Sequence, residues 1–197
     1  MQDDSTRILM TVSRLLDYPD AAWRQDLPGL RQAAADLAPA PSRAALLVFI
    51  DEAAAMGPLA CQERYTANFD LAPSSSLDVT YHAYGDTEDR LRALQGLQET
   101  YAAAGYERTG GELPDFLPLV LEFLAVASSS EQEAVIRWTG PGLAALHGRL
   151  RDQNSPFAAL TQQLVHLFDL PRASEDAAGH RKGRPAPAVR RPMEKTP

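Results

Sequence analysis

The sequence has a single cysteine, Cys61, among its 197 residues. That excludes an internal disulfide framework and any zinc or iron–sulfur site built from several thiolates. Positive charge is also short: 19 Lys+Arg against 26 Asp+Glu give a formal net charge of −7, whereas phosphate binding needs a basic face, so no nucleic-acid partner is expected. No apolar run approaches the roughly 18 residues of a membrane span. The opening Met1-Gln2-Asp3-Asp4-Ser5 lacks the basic-then-apolar order of a secretory signal. The expectation is a soluble cytoplasmic protein without stable membrane insertion. A phosphate-cradling loop is missing too, because Gly110-Gly111 runs into Glu112 with no lysine and no strand before it. His82, His147, His166 and His180 are scattered, and neither a metal nor a cofactor is expected.

What is present is an ordinary globular composition, 45% apolar and 23% charged, enough for one core at this length. The charge is unevenly placed. Residues 172–197 hold seven Lys+Arg and three Asp+Glu, a net +4, which leaves −11 on residues 1–171. With Pro185, Pro187, Pro192 and Pro197 and few large apolar side chains, 172–197 reads as a disordered Pro/Arg-rich tail. Attachment to acidic lipid or an acidic partner is its functional alternative to simple solvation. Residues 1–171 read as one helical domain.

The body is read as an all-α, single-domain bundle of about eight helices. Ile8, Val12, Leu15 and Leu16 stripe a helix over 5–17, which Pro19 ends. Asp20 caps a short turn and Pro28 opens a helical piece to about Ala38. Helices follow over 43–56 and 59–69. Residues 70–86 read as a structured loop, because the β-branched and aromatic piece from Leu77 to Tyr81 has no second strand to pair with. Thr87 caps a helix to Ala104, with Gly105 at its left-handed end. Pro114 opens a helix over 114–127 that is apolar nearly all round, hence central and surrounded. Ser130 and Glu133 match a capping box, and Pro141 and Pro156 open the last two helices. An acidic body around an apolar helix suits a partner that brings a basic, amphipathic helix to a groove.

Four blocks then stand in order: Ser13-Arg14-Leu15-Leu16-Asp17-Tyr18-Pro19; Gln62-Glu63-Arg64-Tyr65 with Phe69-Asp70; Ser76-Leu77 leading to Thr80-Tyr81-His82-Ala83-Tyr84-Gly85-Asp86; and Glu112-Leu113-Pro114-Asp115-Phe116-Leu117-Pro118 running into Leu121-Glu122-Phe123-Leu124. Together they resemble the NarJ family of nitrate reductase assembly chaperones, within the wider TorD/DmsD group of redox-enzyme maturation proteins. The resemblance implies an all-helical fold without catalysis. It implies binding of the apo catalytic (alpha) subunit of respiratory nitrate reductase through a short, basic N-terminal segment. The client is thereby kept competent for molybdenum cofactor insertion and iron–sulfur loading before it docks at the membrane. Molybdenum cofactor delivery proteins are the further partner class it implies. Phe116 stands where the wider group often has histidine, and Leu91 follows Arg90 where a glycine is common.

The residues carried as partner-binding candidates are Tyr65, Phe69, Leu77, Tyr81, His82, Tyr84, Asp86, Glu112, Pro114, Asp115, Phe116, Pro118 and Glu122. Each also has a plain structural reading: core aromatics, prolines that shape a helix start, carboxylates at a first helical turn. Two other functions stay open. One is a TorD/DmsD-like chaperone guarding the twin-arginine signal of another molybdoenzyme. The other is a helical enzyme acting through Glu112, Asp115 and His82.

Overall fold

The stripe seen at the start of the sequence becomes α1 (Gln2–Leu15), which buries Ile8, Leu9, Val12 and Leu15, followed by buried Leu16. The computed structural model describes residues 2–38, 40–71, 73–107 and 110–171; the expected tail lies outside them. Asp20 does cap a helix: its carboxylate accepts from the Trp23 N–H at 2.7 Å and opens α2 (Ala21–Ala35). α3 (Ala40–Ala55), α4 (Pro58–Phe69), α5 (Val79–Tyr84), α6 (Glu88–Ala103), α7 (Leu117–Val126), α8 (Ser129–Asp152) and α9 (Ala158–Leu167) complete nine α-helices among the described residues, with a 3-10 turn at Pro73–Ser75. The all-α architecture holds. Its backbone exception is a lone antiparallel bridge between Asp78 and Phe116.

Several boundaries differ from the expectation. Pro28 sits inside α2 and Pro141 inside α8, so neither opens a helix. Both side chains are exposed, so the carbonyl each proline leaves without an intrahelical donor lies on the solvent side, and packing on the opposite face carries the helix through. The capping box lies two residues earlier than expected. Glu131 accepts from the Ser128 backbone N–H and hydroxyl, each at 2.7 Å, in place of the Ser130–Glu133 pair. Pro114 lies in a turn, and α7 begins at Leu117 with Pro118 in its first turn. The expected loop over 70–86 contains α5.

One continuous core runs through the bundle, with α1 packed on α7 and α2, and α5 on α8. Ser13 fixes the first contact by donating to the Pro118 carbonyl at 2.9 Å. Gly142 permits the other: a Cβ there would stand 1.8 Å from the Val79 carbonyl oxygen. Among the described residues α7 is not surrounded. Leu119, Glu122, Phe123 and Val126 follow an i, i+3, i+4, i+7 spacing, and Glu122 and Val126 are exposed while Leu119 is only half-buried.

Candidate functional site

The third and fourth sequence blocks meet and hold each other. Asp115, fully buried, accepts from the Thr80 N–H at 3.1 Å and from the Thr80 hydroxyl through the same oxygen, Oδ2. The Val79 N–H donates to the Asp115 carbonyl at 3.1 Å, and the Leu117 N–H to the Leu77 carbonyl at 2.9 Å. Arg90 brings the opposite charge, Nη2 at 3.9 Å from Asp115 Oδ2, and its guanidinium lies over the Tyr81 ring at 5.4 Å. Asp86 is exposed and pairs with the same arginine at 3.6 Å.

His82 closes the other side of this lock. Its Nδ1 accepts from Arg149, so its Nε2–H donates to the Ser76 carbonyl at 2.7 Å. Burial first, and Arg149 among the charges, lower its pKa, which fits a neutral ring. Arg149 also donates to the Ser74 carbonyl at 3.0 Å. Both ring nitrogens are therefore occupied by the protein, and Asp115 Oδ2 is committed to Thr80. Glu112 is exposed on the preceding turn. The fold thus encloses Asp115 and half-buries His82, while Glu112 stands apart from them on the surface.

Tyr65 and Phe69 are buried in an aromatic cluster, 5.0 Å apart between ring centroids, with Phe157 4.6 Å from Phe69 and Tyr18 5.5 Å from Tyr65. Burial pushes the Tyr65 phenol pKa well up. Leu77, Pro114 and Pro118 are buried; Tyr84 and Phe116 are half-buried. Most of the candidate residues thus frame the fold around the α5–α7 junction. Among the described residues no three His, Cys, Asp or Glu side chains gather to hold a metal, and no helix is long and apolar enough to cross a membrane.

The open face of α7 is one wall of a groove of about 330 Å³. Met10 of α1 forms another wall, and Tyr106 with Glu107 close the end beyond α6. The floor is apolar and fixed. Tyr101 and Phe123 pack with their rings tilted by 53° and centroids 4.6 Å apart, Tyr106 meets Phe123 edge-on at 5.5 Å, and the Tyr101 hydroxyl donates to the Pro114 carbonyl at 2.9 Å. Gly105, at φ +81°, turns the chain so that the Tyr106 N–H reaches the Tyr101 carbonyl at 2.9 Å, which places Tyr106 over the floor. Met10, Tyr106 and Val126 remain 47%, 47% and 58% exposed, a concentration of large apolar surface at one cleft.

Glu122 and Glu107 give this apolar cleft an acidic lining. Partial burial raises the Glu122 pKa, Asp17 raises it further, and Arg14 pulls it back. Asp17 is itself raised, first by burial and then by Asp20 and Glu112, although Arg14 pairs with it at 3.0 Å. Burial is the leading cause at both carboxylates, and neighbouring carboxylates add to it.

Residues 17–162 match the family described as "Nitrate reductase delta subunit". The chain belongs to that family. It is 36% identical over 172 residues to the nitrate reductase molybdenum cofactor assembly chaperone NarJ of Escherichia coli (strain K12), covering 86% of this chain and 73% of the relative. It is 34% identical over 158 residues to a protein of Bacillus subtilis (strain 168) named "Probable nitrate reductase molybdenum cofactor assembly chaperone NarJ", covering 80% and 86%. A segment of 113 residues is 34% identical to the nitrate reductase-like protein NarX of Mycobacterium tuberculosis (strain ATCC 25618 / H37Rv), 57% of this chain and 17% of that one.

Of the candidate residues, only Glu122 lines the groove. Met10, Tyr106, Glu107, Leu119 and Val126 escaped sequence reasoning. Their signal is tertiary: each is apolar or acidic beside buried neighbours, and which face α7 leaves open depends on packing from other elements. An apolar residue at each end of an exposed helical stripe, Leu119 and Val126 around Glu122, is the trace that the sequence does carry.

Proposed function

We propose that this chain is an assembly chaperone for a nitrate reductase, and that it binds the apo catalytic subunit by its N-terminal segment. The observation that carries this reading is the uncovered α7 face, an apolar cleft with Glu122 and Glu107 in its lining. Apolar side chains of an amphipathic client helix enter between Met10, Leu119 and Val126, while its basic face meets the carboxylates. The names of the relatives supply the client class. Binding holds the segment out of the way during molybdenum cofactor insertion and iron–sulfur loading, and release precedes docking at the membrane. No bond is made or broken by the chaperone. The lock around Asp115 and His82 serves this task by fixing α7 against α5 and α8, so that the open face keeps its shape.

Calorimetric titration of the chain with the N-terminal peptide of a nitrate reductase catalytic subunit tests the proposal. Saturable heat is expected, with affinity lowered about ten-fold or more in Glu107→Lys/Glu122→Lys, since two reversed charges in a partly desolvated site cost on the order of 1–3 kcal/mol. Absence of binding, or equal affinity for the charge-reversed protein, rejects it. Peptides carrying twin-arginine signals of other molybdoenzymes, titrated in parallel, separate this client from the broader group.

A further inference from the structure

Among the described residues no Arg or Lys lines the groove. Residues 172–197 carry a net +4, and the chain's two lysines, Lys182 and Lys195, both lie there. We infer that this segment docks in the α7 groove of its own chain and competes there with the client; the inference rests on the reading of that groove as the client site.

Three observations support it. The described chain ends at Pro171, and Phe168 and Asp169 just before it line a depression of about 820 Å³ that shares Val126 with the groove. The segment therefore starts beside a depression that adjoins the cleft at Val126. From Pro171 to Arg181 is ten residues, up to about 33 Å when extended, more than enough to pass Val126 and reach Glu122 and Glu107. The charges are complementary, +4 against the −11 of residues 1–171, and Val189-Arg190-Arg191-Pro192-Met193 supplies apolar and basic groups side by side, the two kinds of group that the cleft is lined to receive. Pro185, Pro187 and Pro192 disfavour the helix that a client brings, so the tethered segment is the weaker occupant and yields to it. Tethering compensates through a local concentration on the order of millimolar, which keeps the cleft covered until a client arrives.

Because the only lysines lie in the segment, a zero-length carbodiimide cross-link on the dilute full-length protein reports its position. Amide links from Lys182 or Lys195 concentrated on Glu107 and Glu122, and lost when the client peptide is added, are expected. Links spread evenly over remote carboxylates such as Asp51 and Asp89 overturn the inference. In the full-length variant Arg181→Glu/Arg184→Glu/Arg190→Glu/Arg191→Glu, the client peptide binds roughly five-fold more tightly once the competitor is removed; unchanged affinity overturns the inference. Groove-specific cross-links in a protein that binds no peptide uphold the docking and reject the client reading alone. Binding of the segment to anionic vesicles with no groove-specific links assigns it to lipid and overturns the docking.

Discussion

At the scale of single residues, Asp115 and Glu122 show how two carboxylates seven positions apart take opposite tasks. Asp115 has no exposure and holds Thr80 by backbone and hydroxyl. Asp115→Ala leaves a buried N–H and hydroxyl without their acceptor and should cost about 2–4 kcal/mol, which lowers Tm by roughly 5–12 °C in a protein of this size. Thermal unfolding followed by circular dichroism checks this, and a variant melting with the parent removes the lock from the argument. Glu122 faces the groove with its pKa raised, so the folded state holds that proton more tightly than the unfolded chain. Its contribution to stability is therefore greatest below the ordinary glutamate value of about 4.3 and is lost as pH rises through the raised value. On the proposed reading binding runs the other way, because a basic client needs the ionised form. Client affinity falls on acidification at a pH above that at which an exposed glutamate titrates. In Glu122→Gln the affinity is weaker at neutral pH and that limb of the profile is flat. Calorimetry across pH on both proteins decides it, and parallel profiles count against Glu122 as the contact.

At the scale of elements, the glycines of α8 and α2 make a matched pair. Gly142 lies against the Val79 carbonyl, and neither backbone can yield a methyl group's width, so Gly142→Ala pushes α5 off α8 and costs about 3 kcal/mol or more. Gly29, in α2, has nothing within 4 Å of the same position, and Gly29→Ala gains about 0.5–1 kcal/mol by restricting the unfolded chain. Urea unfolding of the two variants should move the midpoint in opposite directions; movement in the same direction rejects the close approach. The α5–α8 contact also marks the limit of what the sequence makes legible. Apolar periodicity was enough to place α1 and α6, α3 and α4 fall close to the spans expected for them, and Asp20 and Gly105 announced their caps and turns. Pro28 and Pro141 misled, because the local rule against proline is outweighed when both halves of a helix pack on the same core. Ser130 with Glu133 was the box expected, and the structure forms it with Ser128 and Glu131 instead. α5 is six residues long, too short for any period, and it is ordered by contacts from Asp115, Gly142 and Arg149 that lie 30 to 70 positions away. The groove was illegible for the same reason. All of α7 except Glu122 reads as core, and its open face exists only because no other helix among the described residues covers it.

At the scale of the whole molecule, the proposed reading has charge set how fast a client arrives and apolar contact set how long it stays. Residues 1–171 carry a net −11, and two of those carboxylates, Glu107 and Glu122, stand at the point of contact. A basic segment approaching from solution feels the summed field before it feels any one side chain, and that field reaches about 30 Å at 0.01 M salt and only about 3 Å at 1 M. The association rate of the client peptide should therefore fall about ten-fold or more as salt is raised from ~0.02 M to ~0.5 M. Dissociation breaks contacts with Met10, Leu119 and Val126 that salt screens hardly at all, so its rate should change little. Val126→Ser reverses the pattern, raising dissociation several-fold while leaving the salt slope of association intact, since it removes buried apolar area and no charge. Stopped-flow association and dissociation measured on both proteins across salt separate the two contributions. An association rate indifferent to salt means that the acidic body does not steer its client, and recognition then rests on the apolar cleft alone.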